Sequence, residues 1–219
     1  MQNNILSHKS GLVCAVNSDT FAKKFKLVIF INIVMNQLFM LLFLLSFSIV
    51  SCRNVEKEAL TDVLSSWEGR TLMFPENPVF TRYATDTVAF SASTSTYTIL
   101  HYVDSTGCQG CKLQLLLWDD FIHEADSVAG GNLSFLFYMH PKDIRDLRNS
   151  LKSDEFQHPI CIDTKDSLNL LNRFPTDERL HTFLLNSRNE VVAMGNPARN
   201  QSVRNLYMQI ISGELEQTK

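Results

Sequence analysis

The chain has 219 residues, a formal charge of −3 and 20% charged residues. Four of its 20 basic and one of its 23 acidic residues precede Cys52, leaving 16 against 22, a charge of −6, for the 168 residues from Cys52 onward. That part is long enough for one domain with a full core, and no basic stretch in it has the footprint of a nucleic-acid surface, which argues against a nucleic-acid partner.

The N-terminal part differs from the rest. Lys23, Lys24 and Lys26 precede an uncharged run, Leu27 to Val50, interrupted by strongly polar residues only at Asn32, Asn36 and Gln37. A bilayer needs about 20 such residues, whereas a secretory core normally has roughly 7–15. The run ends in Ile49-Val50-Ser51-Cys52, which resembles a bacterial lipobox: aliphatic, small or aliphatic, small, then the cysteine that takes lipid and becomes the new N-terminus. Two readings follow: a signal segment removed before a lipidated Cys52, or a retained transmembrane anchor with an ordinary Cys52. Met35 and Met40 are alternative starts, and either would discard every lysine of the segment. Both readings keep the basic residues inside and export everything after Cys52, giving a membrane-anchored protein on the periplasmic or cell-surface side.

Residues 53–67 place Val55, Ala59, Leu60, Val63, Leu64 and Trp67 at helical spacing, so residues 52–86 read as a stalk with a short helix and strand. A strand is expected near Arg70 to Phe74, halted by Pro75 and Pro78, and a weaker one in 86–92. Tyr97 to Asp104 is rich in apolar and β-favouring residues, as a central strand buried on both faces would be. The next segment, 112–128, sets Leu113, Leu116, Leu117, Phe121 and Ile122 on one helical stripe. Leu133 to Met139 reads as a buried strand. In 140–156, Pro141 stands where a first helical turn accepts proline, with Ile144, Leu147 and Leu151 as the buried face. A strand in 159–163, a helix in 164–174, a hairpin in 181–195 and a closing helix in 200–212 complete an α/β order.

Chemistry centres on Cys108 and Cys111 in the sequence DSTGCQGCKLQ. Apart from Cys14 and Cys52 only Cys161 remains, too few cysteines for a stapled scaffold. A buried strand, a short loop, CxxC, lysine, a long helix, then strand, helix, strand, helix, hairpin and helix resembles the thioredoxin fold. The exported, anchored setting is similar to the TlpA-like branch. The resemblance covers roughly Thr87 to Ser212 and implies a three-layer sandwich with a central mixed sheet, the domain occupying 87–219. It implies a thiol–disulfide oxidoreductase without a bound cofactor, acting on protein thiols and exchanging electrons with a membrane thiol carrier. Cys108, expected at a helix N-terminus that favours a thiolate, would be the nucleophile and Cys111 the resolving thiol. The alternative reading of the pair is a static disulfide or two buried thiols.

The chain departs from that family at three places. Gly107 stands where tryptophan usually precedes the first cysteine. Tyr102, six residues before Cys108, replaces an acid or amide that handles the buried thiol's proton, with His101 beside it. His181 occupies the place of the cis-proline that docks substrate backbone and keeps metals off the thiols; Pro175 falls too early in the chain to serve. Cys108, Cys111 and His181 therefore also suggest a copper(I) or zinc site in a metal-handling lipoprotein. A third reading is a redox-silent binding module. Cys161 reads as a buried small hydrophobe rather than a third redox partner, His123, His140 and His158 as structural, and Trp67 and Trp118 as core or edge aromatics.

Overall fold

The computed structural model describes residues 18–90, 95–106 and 113–214, with the side chains of 18–22 and 44–56 outside that description. The chain divides into two units, Met1–Glu58 and Ala59–Lys219. Helix α1 runs Ser18–Trp67, and its stretch Lys23–Phe43 is long and apolar enough to cross a membrane. A helix suits that role because it satisfies every interior backbone group within itself. Residue 52 lies within the span of α1.

The second unit is built on a seven-stranded sheet: β1 Phe80–Arg82, β2 Asp86–Val88, β3 Tyr97–Val103, β4 Leu133–Met139, β5 Ile160–Ile162, β6 Thr182–Asn186 and β7 Val191–Met194. Its order is β2-β1-β5-β4-β3-β6-β7. Strands β3, β4 and β5 run parallel, and every other pairing is antiparallel. The helices are α2 Leu115–Ala129, α3 Ile144–Ser153, α4 Ser167–Asn172 and α5 Gln201–Ile211, with a 3-10 turn at Glu178–Leu180. Alternation along β3 sends Ile99 and Val103 into one apolar cluster with Trp118, Phe121, Leu147, Leu151 and Tyr207. Leu100 and Tyr102 enter a second cluster, on the opposite face, with Trp67, Leu168, Phe174 and Phe183. The architecture is the expected three-layer sandwich around a central mixed sheet, and both tryptophans belong to its cores.

Three local expectations are corrected. Residues 70–74 form no strand; they contribute an isolated bridge, Thr71 to Glu190, before left-handed Asn77 (φ 53) turns the chain, and β1 starts only at Phe80. Pro141 precedes α3 instead of sitting in its first turn, because Asp143 caps the helix by accepting from the Arg145 backbone N–H at 2.7 Å. The buried stripe of α2 is Leu115, Trp118, Phe121, Ile122, Ala125 and Ala129, whereas Leu116 and Leu117 are exposed. Gln114 is left-handed (φ 41, ψ 47), so the helix takes its phase from Leu115 and the 3.6-residue spacing buries a different set. A non-glycine residue in that conformation costs on the order of 1–2 kcal/mol, which the two buried leucines flanking it help to offset.

Candidate functional site

Strand β3 ends at Val103, and Asp104 then accepts from the Thr106 backbone N–H at 3.1 Å and from its hydroxyl at 3.0 Å. Such an Asx turn lifts the chain off the sheet edge at the carboxyl end of the parallel strands, where α/β sheets place their chemistry. Residues 107–112 follow. Gly107, Cys108 and Cys111 therefore lie outside the described residues, as does the side chain of Cys52.

At this end of β3 a cavity of about 30 Å³ is lined by His101, Tyr102, Val103, Asp104, Glu178, His181, Asn196 and Arg199. The 3-10 turn Glu178–Leu180 is followed by its C-cap His181, whose backbone carbonyl accepts from the Tyr102 N–H at 2.9 Å. That bond continues the pairing of β3 with β6 by one residue and sets His181 beside Tyr102, their ring centroids 5.3 Å apart. The His181 Nε2 lies 2.7 Å from the Pro175 carbonyl. Pro175, too early in the chain to stand in for a cis-proline itself, is thus the hydrogen-bond partner of His181. The described residues contain no cis peptide bond.

His101 and Tyr102 point to opposite faces. The Tyr102 phenol donates to Asp166 Oδ1 at 2.5 Å, tying the end of β3 to the start of α4. Burial, followed by that acceptor, pushes the phenol well above its ordinary range. His101 is turned towards α2, its ring centroid 4.6 Å from Trp118, with Nδ1 2.8 Å from the Thr182 hydroxyl. Its Nε2 and the Trp118 Nε1 are buried with no hydrogen-bond partner among the described residues. Burial lowers the His101 pKa to about 3, helped by the nearby His181 and Arg199 charges, so the imidazole is neutral at any physiological pH. Of the two residues, His101 is the one with an uncommitted ring nitrogen.

Sequence reading singled out His101, Tyr102 and His181, but not Glu178, Asn196 or Arg199. Their signal was the turn chemistry of 195–200: Gly195 (φ 117) brings the chain against α5, where a Cβ would stand 3.1 Å from Val203 Cγ2. A wider groove, about 340 Å³, adjoins the cavity and shares Glu178, Asn196 and Arg199 with it; Leu60, Leu64, Leu180, Met194 and Val203 supply its apolar wall. Cys161 lies elsewhere, buried in β5, with its thiol pushed up to about 11 mainly by burial and then by Asp163. Among the described residues no group of three His, Cys, Asp or Glu side chains stands close enough to hold a metal ion as positioned.

The order of elements around this site decides the fold. A parallel core β5-β4-β3 is extended by an antiparallel hairpin β6-β7, with α2 entering directly after the central strand and α5 closing the chain. The fold is thioredoxin-like. No protein-family model matches the chain, and no curated protein matches it. Solved structures similar to it include a putative thiol:disulfide interchange protein DsbE from Chlorobium tepidum, at 14% identity and a TM-score of 0.48 over 66% of this chain and 96% of that one. The thioredoxin domain of a thiol-disulfide oxidoreductase from Bacteroides vulgatus matches at 10% identity and a TM-score of 0.46 over 64% and 97%. A peroxidoxin, BcpB, from Mycobacterium tuberculosis matches at 13% identity and 0.46 over 67% and 96%. At these identities the likeness is one of chain path.

Proposed function

We propose that this protein is a membrane-anchored, exported thiol–disulfide oxidoreductase working through Cys108 and Cys111. The observation that supports the reading is the position of the CxxC stretch in the sequence: it joins the carboxyl end of the central strand β3, whose last residues line a cavity with two histidines, to α2. In the reducing direction the Cys108 thiolate attacks one sulfur of a client disulfide, forming a mixed disulfide and releasing one client thiolate. Cys111, deprotonated, then attacks the Cys108 sulfur; the Cys108–Cys111 disulfide forms and the second client thiolate leaves. Two electrons have passed to the client, and a membrane thiol carrier restores the dithiol. The relative potentials of the two couples set the direction.

The apolar groove beside the cavity suits a protein client, since side chains flanking a disulfide need a surface that buries them while the sulfurs react. The apolar stretch of α1 supports anchoring, with Cys52 as the proposed lipid attachment point. Cys111→Ser is expected to accumulate mixed disulfides with client proteins, and Cys108→Ser is not. Trapping through Cys111 alone would reverse the assignment, and trapping through neither would favour a redox-silent module.

A further inference from the structure

The first unit, Met1–Glu58, carries a feature that a lone anchor does not need. The strongly polar residues of the run Leu27 to Val50 are all side-chain amides: Asn32, Asn36 and Gln37. Ile33 is the middle of Lys23–Phe43, the stretch long and apolar enough to cross a membrane. At 1.5 Å per residue, Asn36 and Gln37 stand about 4.5 and 6 Å along the axis from that middle, with exposed side chains. Hydrocarbon offers an amide no hydrogen-bond partner, so at that depth each is costly until another polar group meets it. The amides are also grouped. Ile33, Asn36, Gln37, Met40 and Leu41 line one groove along the helix, and their spacing of three, four, seven and eight residues is that of a single helix face. Asn32 borders this face, one turn before Asn36. Ile31, Val34, Leu38 and Leu42 fall on the other side, exposed and wholly apolar, as a lipid-facing surface should be. We propose that α1, where it stays in the membrane, pairs in parallel with α1 of a second copy, Asn36 and Gln37 bonding across the interface.

A second copy is the occupant that this chemistry selects. A carboxamide both donates and accepts, so it is complementary to itself. Lys23, Lys24 and Lys26 hold every copy in one orientation, basic end inside, so two copies meet in parallel with each residue at its own depth. A two-fold axis between them then sets Asn36 against Asn36. Amides of this kind are the usual adhesive between helices in lipid, where apolar contact alone gives little preference for protein over acyl chain. The pairing rests on the reading of Lys23–Phe43 as a retained anchor. It would hold two exported units, and so two CxxC pairs, on one anchor.

The test uses the full-length chain with Cys52→Ala, which keeps the apolar segment attached, in phosphatidylcholine vesicles under reducing conditions. Donor or acceptor dye is joined enzymatically to a C-terminal peptide tag, and energy transfer is followed as the protein is diluted with lipid. Transfer should fall along a dimer dissociation curve. Asn36→Leu combined with Gln37→Leu should move the midpoint about tenfold towards higher protein-to-lipid ratio. Asn36→Gln keeps an amide and should stay close to the parent, as should Leu38→Ile on the lipid-facing side. The two leucines make the stretch more apolar, so they cannot act by preventing insertion. Transfer in the parent no greater than random proximity gives, or a midpoint that the two leucines leave unmoved, overturns the pairing. Extraction of the parent by alkaline carbonate overturns the anchor reading and the pairing with it, whereas an inserted but unpaired parent overturns the pairing alone. Disulfide exchange through Cys108 and Cys111 is scored separately, by trapping, and stands or falls by itself.

Discussion

His181 donates its Nε2–H to the Pro175 carbonyl across 2.7 Å, because a carbonyl oxygen only accepts. The neutral ring consequently carries its lone pair on Nδ1. Its backbone is held as well, by its own N–H on the Glu178 carbonyl at 3.2 Å and by its carbonyl under the Tyr102 N–H at 2.9 Å. A residue gripped at both ends lets the imidazole present one defined nitrogen, as metal-binding and proton-accepting histidines do. His181→Ala is expected to raise the pH midpoint for alkylation of Cys108 if the ring favours the thiolate, and to reduce copper(I) or zinc uptake by the cysteine pair if Nδ1 is a ligand. His181→Pro should fold, since φ at this position is −81°, near the range proline requires, and only the bond to Glu178 is lost from the backbone. Alkylation rate against pH, with and without metal, reads both substitutions. An unchanged profile and unchanged metal uptake in both would place His181 outside the thiol chemistry.

Much of this arrangement was legible in the sequence, for identifiable reasons. Tyr97–Val103 and Leu133–Met139 announce themselves because strands buried on both faces need unbroken apolar runs. The hairpin β6-β7 and the capped α5 are marked by local turn and cap chemistry: Asn200 accepts from the Ser202 and Val203 N–H groups. The phase of α2 was not legible, because it depends on one left-handed glutamine that no propensity identifies. Neither was the pairing of His181 with Pro175, in which a six-residue excursion returns on itself.

His101 should leave a signature in acid. Its ordinary pKa of 6.5 in the unfolded chain falls to about 3 in the fold, chiefly through burial. Between those values the unfolded state binds a proton that the folded state does not, so stability is full above about pH 6.5 and declines as pH falls towards 3. One such proton contributes a slope of about 1.4 kcal/mol per pH unit across that window. His101→Phe keeps the packing against Trp118 and Phe137 while removing the titration. Urea unfolding at pH 6.5, 5.5 and 4.5 should show the variant's stability falling less steeply than the wild type's by close to one proton. Parallel slopes would mean that His101 is protonated within the fold.

Tyr102 is predicted to serve stability rather than thiol chemistry, although it stands six residues before Cys108. Its phenol is committed to Asp166, whose other oxygen accepts from Asn169 Nδ2 at 2.9 Å. Tyr102→Phe removes the donor and leaves the ring in place, at an expected cost of roughly 1.5–3 kcal/mol for a hydrogen bond to a charged group. Hydrogen exchange should rise in α4, which the bond secures, while the pH dependence of Cys108 alkylation stays the same. A shifted alkylation profile with α4 unaffected would return Tyr102 to the active site.

Anchoring divides on Cys52. A lipoprotein requires its thiol, so Cys52→Ala should abolish incorporation of a fatty-acid analogue and leave the precursor unprocessed. The Lys23–Phe43 stretch would still hold that precursor in the membrane. Equal labelling of wild type and variant, or labelling of neither, would leave the retained transmembrane helix as the anchor.

Cys161 should be silent under native conditions, and that silence makes the other thiol measurements interpretable. The residue is 5% exposed on β5, opposite Tyr138 of β4, and its thiol is pushed up to about 11. At pH 8 a group with that pKa is thiolate to only about one part in a thousand, and the thiolate is the form that alkylates. Burial restricts access further, so labelling must wait for opening of β5, an interior strand between β1 and β4. Iodoacetamide at pH 8 should therefore label a Cys14→Ser, Cys52→Ala, Cys108→Ser, Cys111→Ser chain, whose one thiol is Cys161, only as fast as that strand opens, with the rate rising steeply in urea. Rapid labelling in the absence of denaturant would show β5 to be accessible in the native state, and would make Cys161 available as a third redox partner after all.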